Sequence, residues 1–184
     1  AKEILSKSNL DPNCWTLISA KSPGKSKALN HAMSEYDGTG IVAMVDADAT
    51  MGQGSLKKIR SYFANPEIGA VSALESVDTR HPMSQYKKRS NLLRKYESLG
   101  GSCFVLEGSL LAWHPLRINL RSFDENSNAD DAQIAMSAIR SGFMSIVHPS
   151  IEFEDIILLP FDIGSLIQIP LLLKATKCSI SLAC

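Results

Sequence analysis

The sequence predicts an α/β domain, with a mostly parallel central sheet flanked by helices. Three observations carry this. Short β-prone apolar runs alternate with longer segments of helical period. The central run, Ile41-Val42-Ala43-Met44-Val45, is apolar without alternation, as expected of a strand covered on both faces. Turn formers such as Asp37-Gly38-Thr39-Gly40 and Asn65-Pro66-Glu67 punctuate the pattern. At 184 residues, 45% of them hydrophobic, the chain can bury the core of one domain.

Taken in order, Trp15 to Ile18 is a strand by composition, and Ser22-Pro23-Gly24 ends it. From Lys25 to Tyr36, Ala28, Leu29, Ala32 and Met33 recur at helical spacing. Ile41 to Val45 is the covered strand. Ser55 can cap a helix that runs to Phe63, because a serine hydroxyl accepts from a free first-turn amide. Gly69 to Leu74 is the next strand. Met83 to Ser98 is a basic helix, closed by Gly100-Gly101, and its lysines and arginines read as a solvated face. Cys103 to Leu106 reads as a strand and Asp130 to Ser141 as a helix with Ile134, Ala135, Ala138 and Ile139 on one face. Gly142 is placed to stop that helix. Met144 to Val147 is the last strand, closed by His148-Pro149. One domain therefore covers 1–155. The remainder, 156–184, is an apolar tail interrupted by Pro160, Asp162 and Pro170, which suits an interfacial or truncated segment better than a spanning helix.

Nineteen basic residues balance nineteen acidic ones, so no global field recruits nucleic acid. Cys14, Cys103, Cys178 and Cys184 have no paired CxxC spacing, which argues against zinc or a disulfide framework and fits a reducing, cytoplasmic setting. The chemistry concentrates in two acidic pairs. Asp46 and Asp48 close the covered strand, where open α/β sheets bind ligands, and as alternate residues of an extended segment both carboxylates would face one site. Hard oxygen donors there suit Mg2+ or Mn2+. Asp130 and Asp131 open the late helix, where acidic residues also suit the free amides. A P-loop built on Gly24-Lys25-Ser26 fails, because Ser19 occupies the place of the required earlier glycine. Asp46-Ala47-Asp48-Ala49-Thr50 also fits the DxDxT opening of a haloacid-dehalogenase-like phosphatase, with Asp46 as nucleophile.

Several ordered motifs narrow the choice. Gly24-Lys25-Ser26-Lys27-Ala28-Leu29-Asn30, then Val45-Asp46-Ala47-Asp48-Ala49, then Pro66-Glu67-Ile68-Gly69-Ala70-Val71 resemble a family-two glycosyltransferase of the GT-A fold, in the cellulose- and hyaluronan-synthase-like superfamily. Ala129-Asp130-Asp131 resembles the family's ED motif, with Asp130 in place of glutamate. The resemblance spans about residues 15 to 155 and implies an inverting transfer from a nucleotide-sugar donor, a UDP- or GDP-sugar, to a glycan or lipid acceptor. It implies that Asp46 lies near the donor's ribose and diphosphate, that Asp48 holds the Mg2+ or Mn2+, and that Asp131, beside Asp130, is the general base. Lys25 and Asn30 are expected on the donor side. Glu107, Gly108 and Trp113 are expected around the acceptor, although Trp113 reads equally as a core residue. The family's first strands, which hold the base, are expected before Ala1, so a non-catalytic nucleotide-sugar-binding fragment is the alternative from another class. A processive member's QxxRW-like motif has no match, since Ile169-Pro170-Leu171 follows Gln168. By analogy, the full-length protein is expected at the cytoplasmic face of a membrane.

Overall fold

The structure is a computed structural model that describes residues 15–18, 23–36, 38–76, 84–155, 171–174 and 179–183. Its elements are β1 (Trp15–Ile18), α1 (Lys25–Ser34), β2 (Val42–Val45), β3 (Ala49–Met51), α2 (Ser55–Tyr62), β4 (Ile68–Glu75), α3 (Ser84–Leu99), β5 (Leu110–Trp113), α4 (Pro115–Ile118), α5 (Asp130–Arg140), β6 (Met144–Asp155), β7 (Leu171–Lys174) and β8 (Ser179–Ala183). The strands form one sheet in the order β1-β8-β7-β2-β5-β4-β6-β3.

The α/β class is as expected, but the sheet is mixed. Only the β1–β8 and β4–β6 pairs are parallel. The other pairs, β2–β5, β2–β7, β4–β5, β3–β6 and β7–β8, are antiparallel. Following the pairs across the sheet shows why. Strands β1, β2, β4 and β6, which the strand–helix alternation links, all run the same way. Between β1 and β2 lie β8 and β7, and between β2 and β4 lies β5; of these, β5 and β7 run the opposite way. Alternation fixes strand direction through right-handed crossovers, whereas adjacency is open to later insertion.

Local departures have local causes. Cys103–Leu106 is irregular, and the strand lies at β5 instead; Leu110-Leu111-Ala112-Trp113 is a short apolar run with no diagnostic period. Helix α2 begins after Gly54, which takes a left-handed conformation (φ 78°), and Ser55 is its first residue rather than its cap. Strand β6 passes through His148-Pro149 to Asp155, with a register shift opposite Ser72–Leu74 absorbing the proline. At Gly142 the φ of 79° closes α5 as the sequence suggested. Within the apolar stretch after 155, the described residues are strands β7 and β8. Pro160, Asp162, Gln168 and Pro170 lie outside the described residues, as does Met83.

Strand β2 is buried along its whole length, and its side chains alternate between two cores. Val42 and Met44 pack with Leu29, Ala32, Leu111, Trp113, Ile134 and Ala138 beneath α1 and α5. Ala43 and Val45 pack with Ile59, Phe63, Val71, Leu110 and Phe153 beneath α2. Close approach is tightest at Gly69, where a Cβ would meet Ile118 Cγ2 and Phe143 Cβ at 2.7 Å.

Candidate active site

The site forms where β2 ends. The β2–β5 ladder pairs Val45 with Leu110 and continues as a hydrogen bond from the Asp46 amide to the Ser109 carbonyl, 3.0 Å. Asp46 is thereby set beside Gly108-Ser109 by backbone register. A Cβ placed on Gly108 would lie 3.8 Å from both Cβ and Oδ2 of Asp131, so Gly108 faces the first turn of α5. The two acidic pairs thus meet across β5.

Lys25 joins them. Its ammonium lies 2.8 Å from Asp46 Oδ1 and 3.3 Å from Asp130 Oδ2. Asp130 is only 4% exposed, and its Oδ2 accepts no hydrogen bond, so the ion pair with Lys25 is what compensates a buried charge. Burial pushes the Asp46 carboxyl above its ordinary range; Lys25 opposes that, while Asp130 and Asp48 add to it. For Lys25, burial favours the neutral amine, but Asp46 and Asp130 outweigh it and hold its pKa above the ordinary lysine value.

Asp48 reaches the site by a different route from the one expected. The Ala49 amide donates to the Asp46 carbonyl, 3.1 Å, so 46–49 is a turn and not an extended segment. Asp48 still lies close enough to act on Asp46 electrostatically. Among the described residues no three His, Cys, Asp or Glu side chains gather as a metal-binding group. Hard oxygen donors a turn apart nevertheless suit a divalent cation that takes its other ligands from water and substrate phosphates.

Asp131 is half-buried beside Gly108, and its Oδ1 accepts from the Ala132 amide, 2.7 Å. Asn30 grips the loop before α5: its Oδ1 accepts from the Phe123 amide at 2.7 Å, and its Nδ2 donates to the Phe123 carbonyl at 3.0 Å and to Glu125 Oε1 at 3.2 Å. Ser26, which sequence reading passed over, donates to the Ser127 carbonyl, 2.9 Å. These contacts bridge about a hundred residues of chain, a separation that periodicity cannot register. The Glu107 carboxylate is paired with Arg94, and its amide donates to Ser72 Oγ. Trp113 corrects an expectation. It is fully buried and packs edge-on to Phe123, ring centroids 6.0 Å apart, so it lines the core and presents no face to a sugar.

No protein-family model matches the chain, and no curated protein matches it in sequence. Among solved structures it is similar to the mannosyltransferase PcManGT from Pyrobaculum calidifontis, solved in complex with GDP-Man and Mn2+. The two are 28% identical with a TM-score of 0.63, over 76% of this chain and 38% of that one. The chain therefore spans well under half the length of that protein. The likeness assigns the architecture to a glycosyltransferase-type α/β fold.

Proposed function

We propose that this chain is part of the catalytic domain of an inverting, metal-assisted glycosyltransferase of the family-two type, moving a sugar from a nucleotide-sugar to a glycan or lipid hydroxyl. One observation carries the reading: Lys25 draws Asp46 and Asp130 together, so that the end of β2 and the start of α5 meet at one site. The neighbour's complex with GDP-Man makes a GDP-sugar the first donor to test, ahead of a UDP-sugar.

Asp131 faces the space above Gly108 with a carboxylate able to take a proton. There it removes the proton of the acceptor hydroxyl as that oxygen bonds to the anomeric carbon. The bond from that carbon to the nucleoside diphosphate breaks on the opposite face, so one displacement inverts the configuration. Asp48 would hold a divalent cation, Mg2+ or Mn2+, which when bound offsets charge on the departing diphosphate, with Asp46 beside the donor's ribose and diphosphate. Lys25 pairs with the buried Asp130 and holds α5 against β2, which fixes the distance from base to donor. We place the reaction in the cytoplasm, at a membrane face for the full-length protein.

Calorimetric titration of the full chain with GDP and UDP, with and without Mn2+, tests the donor side. Metal-dependent binding that Asp48→Ala abolishes is expected. Asp131→Asn should leave that binding intact and lower transfer about a hundredfold or more. Nucleotide binding that ignores both the metal and Asp48 overturns the assignment. Binding with no turnover even before Asp131 is changed favours the binding-fragment reading.

A further inference from the structure

Helix α3 is built inside out. Its only buried side chain is Ser84. The side turned to the sheet is polar: Lys87 pairs with Glu75, Asn91 donates to the Glu75 carbonyl, Arg94 pairs with Glu107, and the Val147 amide donates to Ser98 Oγ. The outward side carries Tyr86, Leu92, Leu93, Tyr96 and Leu99, each between 53% and 74% exposed. A helix on a water-facing surface shows the reverse arrangement. At 100° per residue, Tyr86/Leu93, Arg89/Tyr96, Leu92/Leu99 and Lys88/Lys95 form four adjacent rows covering about half the circumference. Phe104 and Val105, also exposed, follow directly, and Val105 is held to the helix by Arg94.

The charges identify the occupant. Lys88, Arg89 and Lys95 are exposed and make no ion pair among the described residues. Protein–protein interfaces deplete lysine where they gather aromatic and aliphatic side chains. A bilayer surface welcomes the mixture: tyrosine and leucine enter the headgroup boundary, while lysine and arginine lie along it with their charges toward anionic lipid. We propose that the outer face of α3, extended by Phe104 and Val105, docks the protein peripherally on an anionic membrane surface. Among the described residues no helix is long and apolar enough to cross a membrane.

Co-sedimentation of the full chain with vesicles of phosphatidylcholine, alone or mixed with phosphatidylserine, tests the docking without reference to sugar transfer. Binding to the mixed vesicles that weakens with salt is expected. Changing Lys88, Arg89 and Lys95 together to glutamine should lower partitioning about a hundredfold, taking roughly fivefold per cation. Changing Leu92, Leu93 and Tyr96 to serine should lower it at least about tenfold. Both variants should keep the parent's circular dichroism and unfolding midpoint, because none of these side chains is buried. Failure to bind the mixed vesicles, or equal binding by parent and variants, overturns the proposal. So does self-association of the parent that the serine variant abolishes, which would make the face a contact between copies.

Discussion

Replacing Lys25 with methionine removes the cation between two carboxylates and keeps the length of the stem. At 3.3 Å and an effective dielectric of about 20, the attraction between Lys25 and Asp130 is about 5 kcal/mol before desolvation is counted. The net loss is smaller and is dominated by Asp130, whose side chain is almost fully buried. Stranding one buried charge costs about 3 kcal/mol, whereas Asp46, about a fifth exposed, rehydrates and adds at most about 1 kcal/mol. Urea unfolding of Lys25→Met should therefore show about 3 kcal/mol of lost stability at pH 7. The loss should shrink toward pH 5. Burial, Asp130 and Asp48 raise the Asp46 carboxyl, Lys25 no longer opposes them, and a raised acid penalises the fold only once ionised, from the ordinary carboxylate range upward. In the parent Lys25 follows pH in the same direction, but as a stabilising group. Its raised pKa gives stability that is complete below the ordinary lysine value and lost as pH climbs through the folded one. The double variant Lys25→Met/Asp130→Asn should recover most of the deficit at pH 7. A loss below about 0.5 kcal/mol for the single variant, or no recovery in the double, refutes the bridge as the element that joins the acidic pairs.

Three further outcomes are expected. Asn30→Ala should cost about 1–2 kcal/mol and speed hydrogen exchange at the Phe123 amide, since it removes a two-way clamp; unchanged exchange there would contradict the clamp. Gly69→Ala should cost about 1–3 kcal/mol, read from the urea midpoint, because a Cβ would collide with Ile118 and Phe143; an unchanged midpoint would mean that α4 and the turn after α5 yield freely. The Cys103 thiol, pushed up by burial to about 12, should resist alkylation at pH 8 until the chain unfolds, with peptide mass spectrometry isolating that residue.

Much of the frame was readable in the residues. The unbroken apolar run of β2 announced a strand covered on both faces, and its side chains do divide between two cores. Helix ends at Lys25, Asp130 and Gly142 were set by local turn chemistry and lie where the sequence put them. The meeting of Asp46 with Asp130 was inferred from the order of motifs, and no local pattern contains it. What remained hidden was non-local. Four apolar residues at β5 carry no period, so the strand that brings Gly108 beside Asp46 went unread. Lys25 was expected on the donor side, yet its carboxylate partners lie far apart in sequence. Asn30 was expected at the donor, and its amide is occupied in holding the loop at Phe123 and Glu125. Trp113 offered two readings, and only packing against Phe123 separates them.

Helix α1 puts Lys25, Ser26 and Asn30 within two turns of a single rigid rod of ten residues. The rod therefore sets the gauge between the end of β2 and the start of α5, and the loop running into α5 hangs from it like a rail from its sleeper. Both sides of the site are thereby referred to one helix, so the spacing that a reacting pair must bridge has a single ruler.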